Sequence, residues 1–280
     1  MTSWLQQNTN AVITGGASGI GLATANHLLQ AGMNVLIADT NADALAAATA
    51  QANGPGRLET QVCNVANVEE MQSLADRAAA DLGDVHLLMN NAGTSFGPAQ
   101  PWEKPEQWRK QIEVNLWGII NGCQAFVPAM LAHSQAGAVI NTGSKQGITN
   151  PPGNYAYNLS KAGVRSFTES LAHAFRQEEN CNLSAHLLIP GFTYTGLIQR
   201  FLPEKPPGAW ASEQVVDFMI GALQRNDFYI LCPDNETPRE LDEKRIAWNT
   251  GDLLHNRSAL SRWDPAYADE FEKYMNRSVD

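Results

Sequence analysis

The sequence predicts an α/β fold: a single domain on one doubly wound (Rossmann), mostly parallel seven-stranded sheet with helices on both faces. Three observations predict it. Short apolar runs suited to strands alternate with helical stretches from Ala11 to Leu231. Through the first half, every polar or glycine-bearing motif directly follows a strand, at the carboxyl edge where open parallel sheets hold ligands. The chain of 280 residues is long enough to bury such a sheet, and no repeat, low-complexity tract or linker marks a second domain. Residues 1–232 are expected to form the nucleotide-binding and catalytic unit, with a lid near 192–212. Residues 233–280 form a polar extension expected to pack on the core, the lid or a neighbouring subunit.

The first strand, residues 11–13, runs straight into Thr14, Gly15, Gly16, Ala17, Ser18, Gly19, Ile20 and Gly21, and a helical pattern follows. Strand, glycine turn, helix is the setting in which such a turn holds a dinucleotide. Glycines permit close backbone approach, and the helix N-terminus offers free N–H groups to a pyrophosphate. A plain βα turn is the alternative. The second strand, residues 34–38, ends at Asp39, whose carboxylate can accept both ribose hydroxyls of NAD and would repel the extra phosphate of NADP. No Arg or Lys stands in the turn or just after Asp39. The competing role for Asp39 is to cap the alanine-rich helix over 42–52.

A third strand, residues 58–62, leads to Cys63, Asn64 and Val65; a helix over 68–82 and a strand over 85–89 lead to Asn90, Asn91, Ala92 and Gly93. Residues 105–133 read as helical, with an interruption expected near Gly118 and Pro128. Asn115 falls in an apolar stretch there and must find partners, either backbone groups or a water that relays protons from a lysine. The strand over 138–141 ends at Thr142, Gly143 and Ser144. Tyr157 then opens a helix reaching about Arg176. The strand over 183–189 ends at Pro190, Gly191, Phe192, Thr193, Tyr194 and Thr195, and an aromatic, proline-rich loop follows to Trp210. A helix over 213–223 precedes the last strand, 228–231, and the extension shows one helix, over 239–248.

Tyr157 and Lys161 stand four apart, so a helix puts both on one face. An ammonium beside a phenol lowers its pKa from about 10 toward neutrality, allowing proton exchange with an alcohol or carbonyl. Alone, the spacing more often marks a packed ring beside a solvated charge. Ser144, emerging at a strand end, could donate a hydrogen bond to the same substrate oxygen.

Net charge is −10 with no basic run, which argues against nucleic acid or an anionic membrane surface as partner. The four cysteines form no CxxC or Cys/His pair, so neither a metal site nor a disulfide framework is expected, and a reducing compartment fits. The N-terminus lacks an apolar signal core, and no apolar run approaches membrane-spanning length; a cytoplasmic protein is the expectation.

In combination these motifs resemble the short-chain dehydrogenase/reductase family, in its compact form, over about residues 8–231. They are Thr14-Gly15 with Gly19-Ile20-Gly21, Asn90-Asn91-Ala92-Gly93, Asn115, Ser144, Tyr157 with Lys161, and Pro190-Gly191 with Thr195. The resemblance implies a catalytic group of Asn115, Ser144, Tyr157 and Lys161. Tyr157 would be the acid/base and Ser144 would orient the substrate oxygen. Lys161 would hold the nicotinamide ribose, and Asn115 would support a water path. It further implies that Asn64 and Val65 flank the adenine, that Asn91, Ala92 and Gly93 line the cofactor, and that Thr193 and Thr195 touch the nicotinamide end. Asn64 departs from the family's more common aspartate and Thr193 from its common valine. The expected activity is NAD-dependent interconversion of a secondary alcohol and a ketone, on an apolar or aromatic small molecule. An epimerase or dehydratase and a non-catalytic NAD sensor are the rivals. The helices carrying Asn115 and Tyr157 form subunit contacts in this family, which implies a homodimer or homotetramer.

Overall fold

The computed structural model describes residues 4–277. Its first half comprises β1 (Asn10–Thr14), α1 (Gly19–Gln30), β2 (Asn34–Asp39), α2 (Ala42–Gln51), β3 (Leu58–Val62), α3 (Val68–Asp81), β4 (Leu87–Asn90) and α4 (Pro105–Ile112). A π turn, Glu113–Trp117, leads into α5 (Gly118–Ala132). Then follow β5 (Gly137–Thr142), α6 (Gln146–Thr149), α7 (Tyr155–Gln177), β6 (Leu183–Ile189), α8 (Gly196–Gln199), α9 (Ser212–Gln224) and β7 (Tyr229–Leu231). The extension contributes α10 (Arg239–Leu254), two 3₁₀ turns and α11 (Ala268–Met275).

The seven strands pair in parallel in the order β3-β2-β1-β4-β5-β6-β7. Successive strand residues point to opposite faces. Ile13, Ile37, Met89 and Ile140 pack with Leu28, Val216 and Met219 on one side. Their neighbours Val12, Leu36, Leu88 and Val139 pack with Met71, Leu74, Phe126 and Met130 on the other. Both faces are covered, which is why these strands read as unbroken apolar runs. Each such side chain withdrawn from water contributes about 1.5–3 kcal/mol.

β1 lies between β2 and β4, so the chain leaves it toward opposite edges of the sheet. This reversal opens a crevice at the carboxyl ends of β1 and β4. A buried polar chain crosses the sheet beneath it. Asn90 Nδ2 donates to Asn141 Oδ1 at 2.9 Å, and Asn141 Nδ2 donates to Thr168 Oγ1 of α7 at 3.1 Å.

The helical stretch Pro105–Ala132 differs from expectation. It is interrupted at Glu113–Trp117, just before Gly118, while Pro128 sits inside an unbroken α5. An 18-residue window of this stretch reaches mean hydropathy 1.2, and half of that window is buried. The apolar side of α5 is a core face: Phe126, Val127 and Met130 pack into the sheet. The extension is also more ordered than one helix. Trp248 is buried, its Nε1 donates to Ser261 Oγ at 2.8 Å, and the Arg257 guanidinium covers its ring at 3.9 Å.

Candidate active site

Thr14, buried at the end of β1, ties the glycine turn to the loop after β4. Its Oγ1 accepts the N–H groups of Asn91 at 3.0 Å and Ala92 at 3.2 Å. Gly15 adopts φ +62°, and a Cβ there would lie 2.7 Å from Ala92 Cα. At Gly21 a Cβ would lie 2.3 Å from Gly15 O, so only glycine lets the first turn of α1 pack on the loop. Ser18 stands at the helix N-cap in extended conformation, yet its side chain makes no capping bond. The first-turn N–H groups of α1, including those of Gly19, Ile20 and Gly21, therefore lack a side-chain acceptor. Asp39 stands at the tip of β2 beside this turn. Its Oδ2 accepts from Ala17 N–H at 3.2 Å and its Oδ1 from Asn41 N–H at 3.1 Å. The helix-capping role weighed for Asp39 falls to Asn41, whose side chain accepts from Ala44 N–H.

At the end of β3, Asn64 is exposed, and its Oδ1 accepts from Ala66 N–H at 3.1 Å. The acceptor oxygen expected to face the adenine thus already closes a local turn. Val65 is buried, its carbonyl takes a 2.9 Å bond from Asn121 Nδ2, and Gly118 packs on its side chain. Asn91 joins three strand ends. Its Nδ2 donates to Gly15 O at 3.1 Å and its Oδ1 accepts from Thr142 Oγ1 at 3.2 Å.

Asn115 lies in the π turn, fully buried. Its Oδ1 accepts Thr94 N–H at 2.7 Å, while its Nδ2 donates to Thr94 O at 2.9 Å and Ser160 Oγ at 3.2 Å. Binding backbone is one of the two roles open in the sequence. It fixes the strand of chain beyond Gly93. A side chain at Gly93 would meet Asn115 Oδ1 at 3.5 Å and Lys161 Nζ at 3.8 Å, so Gly93 is the floor that both face.

Tyr157 and Lys161 share one face of α7, with Nζ 5.7 Å from the centre of the tyrosine ring. Lys161 is buried, and its ammonium donates to Thr142 O at 2.7 Å. Burial pushes its pKa down to about 8. The Tyr157 phenol, half-buried in the cleft, is moved opposite to the sequence expectation. Burial raises its pKa above the ordinary value, and only the Ser144 hydroxyl beside it pulls downward. The Lys161 ammonium is directed to the Thr142 carbonyl. Ser144 lies just past β5, and its Oγ accepts from Gln146 N–H at 3.2 Å. Serine, phenol and ammonium therefore meet at one rim of the sheet. An arrangement of this kind can hold a substrate oxygen and move one proton.

Pro190 and Gly191 follow β6 on the far side of the crevice. Thr193 is buried, with Oγ1 donating to Gly191 O at 3.2 Å. Thr195 stands against the glycine turn, 3.1 Å from where a Cβ of Gly19 would be. The loop beyond is pinned rather than free: Tyr194 N–H donates to Trp210 O, and Trp210 N–H to Phe192 O, both at 2.8 Å. The aromatics divide. Trp210 packs on Phe218, and Trp102 is 80% exposed. Phe201 reaches Gly97, closing the loop against the chain after β4.

Sequence reasoning missed Asp234 and Asp242. They pair with Lys145, the residue directly after Ser144. A separation of 89 residues hides the Lys145–Asp234 pair from any local pattern.

Comparison with known proteins agrees with this geometry. The short chain dehydrogenase family matches residues 9–205. A 1-deoxy-11-beta-hydroxypentalenate dehydrogenase from Streptomyces exfoliatus is 32% identical over 248 residues, covering 86% of this chain and 89% of the relative. A short chain dehydrogenase/reductase from Burkholderia phymatum, solved with NAD, superposes with a TM-score of 0.82 at 29% identity, covering 91% of this chain and 97% of the other. A metagenomic short-chain oxidoreductase solved with NADP gives 0.68 at 26% identity, covering 81% and 98%. A glycine cradle at the switch point, a serine, tyrosine and lysine at the next strand ends, and a family match spanning most of the sheet lead to one assignment: the chain belongs to the short-chain dehydrogenase/reductase family of nicotinamide-dependent oxidoreductases.

Proposed function

We propose that this protein is an NAD-dependent dehydrogenase that interconverts a secondary alcohol and a ketone on a small, uncharged, apolar or aromatic substrate. The observation that carries the reading is the convergence of Ser144, Tyr157 and Lys161 on one rim, with Lys161 Nζ beside Gly93. NAD is favoured by Asp39, whose carboxylate lies at the tip of β2 where the adenosine ribose would sit, with no Lys or Arg at residues 14–21 or 40–42 to balance a further phosphate. The cradle fits a dinucleotide: Gly15 and Gly21 keep the turn against α1, and the first-turn N–H groups lack a side-chain cap. Gly15, Ser18, Gly19, Ile20 and Gly21 would hold the pyrophosphate, Asn64 and Val65 the adenine, and Asn91, Ala92 and Gly93 the middle of the cofactor. Pro190, Gly191, Thr193 and Thr195 would hold the nicotinamide end.

Bound NAD supplies the hydride acceptor. The protein supplies position and proton transfer. Ser144 Oγ and Tyr157 Oη hold the substrate oxygen, Tyr157 takes its proton during oxidation, and Lys161 binds the ribose and favours the phenolate. Asn115 keeps residue 94 and the adjoining loop in place. The pentalenate relative is named for an 11-beta-hydroxy compound, which fits alcohol chemistry. Trp117 and Leu159, about half exposed beside α5 and on α7, mark the face that a second copy would cover to form a homodimer. Light scattering checks the dimer.

The deciding experiment is a panel of secondary alcohols incubated with NAD or NADP and followed by absorbance of the reduced cofactor. Turnover with NAD on apolar alcohols is expected. Cofactor binding without turnover on any alcohol or ketone would overturn the reading.

A further inference from the structure

A second lysine, Lys145, follows Ser144 directly, yet its side chain is only 17% exposed. Its ammonium lies 3.2 Å from Asp234 Oδ2 and 2.6 Å from Asp242 Oδ2, and both carboxylates are nearly enclosed. Neither anion belongs to the sheet: Asp234 lies just beyond β7, and Asp242 is in the first turn of α10. Asp234 Oδ2 also accepts the backbone N–H of Phe192 at 3.2 Å, directly after Gly191. Gly191 makes the room, since a Cβ there would sit 2.7 Å from Asp234 Oδ2 and 2.9 Å from Lys145 Nζ.

The same short segment grips the other end of the substrate loop. Asn235 Nδ2 donates to Pro207 O at 2.8 Å, and Asn235 N–H donates to Gly208 O at 3.1 Å. Farther along α10, Asn249 Nδ2 donates to Ile148 O of α6 at 3.2 Å. The extension thus touches the serine loop, the start of the substrate loop and its end.

We infer that Lys145, Asp234 and Asp242 form a charge clamp whose work is positioning: it sets the backbone that presents Ser144 and holds the 192–210 loop against the nicotinamide end. This rests on the function proposed above. Lys145 shares a peptide bond with Ser144, so anchoring its ammonium to the extension fixes the serine backbone. The local bonds to Ser144, from Gln146 N–H to its hydroxyl at 3.2 Å and from Gly147 N–H to its carbonyl at 3.0 Å, come from the short turn that Lys145 opens, so the clamp on Lys145 sets that turn as well. Enclosing three ions costs free energy that their pairing returns only in part, so stability is a poor account of the arrangement. Geometry is a better one, because a catalytic group displaced by about 1 Å can lose about a hundredfold in rate. Pairing with two carboxylates also occupies the Lys145 ammonium, so it is not offered to a substrate anion.

The test compares the wild type with Lys145→Met and with the triple variant Lys145→Met/Asp234→Asn/Asp242→Asn. The triple variant removes the charges together while keeping side-chain volume, so its melting temperature should stay close to that of the wild type. Its kcat/KM for the best alcohol should fall about tenfold or more, mostly in kcat, with unchanged NAD affinity. Hydrogen exchange of the 192–210 amides in the ligand-free protein should quicken, a readout that needs no substrate. A triple variant with wild-type kcat/KM and wild-type exchange overturns the clamp and leaves the dehydrogenase reading standing. A wild type that turns over no alcohol, with exchange still quickened in the variant, overturns the dehydrogenase reading and supports the clamp.

Discussion

The Lys161 ammonium donates to the Thr142 carbonyl at 2.7 Å, joining the helix that carries the tyrosine to the strand that presents the serine. Burial dominates its titration and sets its pKa near 8, against 10.5 for the unfolded chain. Between these values the unfolded state binds more protons than the folded one. The Lys161 contribution to stability therefore rises with pH from about 8 to 10.5, and is lost as pH falls through 8, by on the order of 3 kcal/mol in total. Urea unfolding of the wild type and Lys161→Met across this range should show a difference that grows in favour of the wild type. A difference that does not change with pH would refute the assignment.

Tyr157→Phe should lower turnover by about a thousandfold while NAD still binds with near wild-type affinity. The phenol's raised pKa keeps its proton in place near neutrality. Ketone reduction should therefore be level across neutral pH, and alcohol oxidation should climb as the solution becomes alkaline. Steady-state rates in both directions check this. An oxidation rate that falls on leaving neutrality contradicts it.

Asp39→Ser removes the carboxylate at the tip of β2. The ratio of kcat/KM for NAD to that for NADP should drop by about tenfold or more, because the charge that repels the extra phosphate is gone. Some loss with both cofactors should accompany it, since Asp39 also accepts the N–H of Ala17 in the glycine turn. An unaltered ratio would place the ribose elsewhere.

Gly21→Ala places a methyl 2.3 Å from a backbone oxygen, that of Gly15, with no flexible neighbour to yield. A cost of about 1–3 kcal/mol in folding stability and a sharp loss of dinucleotide affinity are expected. Gly196→Ala, where nothing stands within 4 Å, is the control for folding. Calorimetry and cofactor titration read both; equal stability of the two variants would show that the turn relaxes freely.

The sheet was legible because both its faces are dry: Val12 and Ile13, or Leu88 and Met89, serve opposite layers yet are equally apolar, so the strands stand out without alternation. The carboxyl-end rule then placed Asp39, Asn91 and Ser144 at the same edge of the sheet. What escaped depends on distant partners or on solvation. Pro128 signalled a break, but α5 runs through it and the irregular turn falls earlier. A neighbouring ammonium promised an acidic phenol, whereas desolvation is the larger effect on Tyr157. Asp234 and Asp242 looked like ordinary members of a polar extension, because nothing nearby in sequence shows that Lys145 awaits them.

The π turn at Glu113–Trp117 has a consequence for chain length. It carries an additional residue within a nearly continuous helix. Deleting a single position there would let the segment relax into regular winding, leaving α4 and α5 nearly in phase but removing the local bulge that presents Asn115. Asn115 would then face away from residue 94. Spacing in this stretch is as strictly constrained as chemical identity, so homologues that keep the asparagine should tolerate substitutions around it far more readily than insertions or deletions.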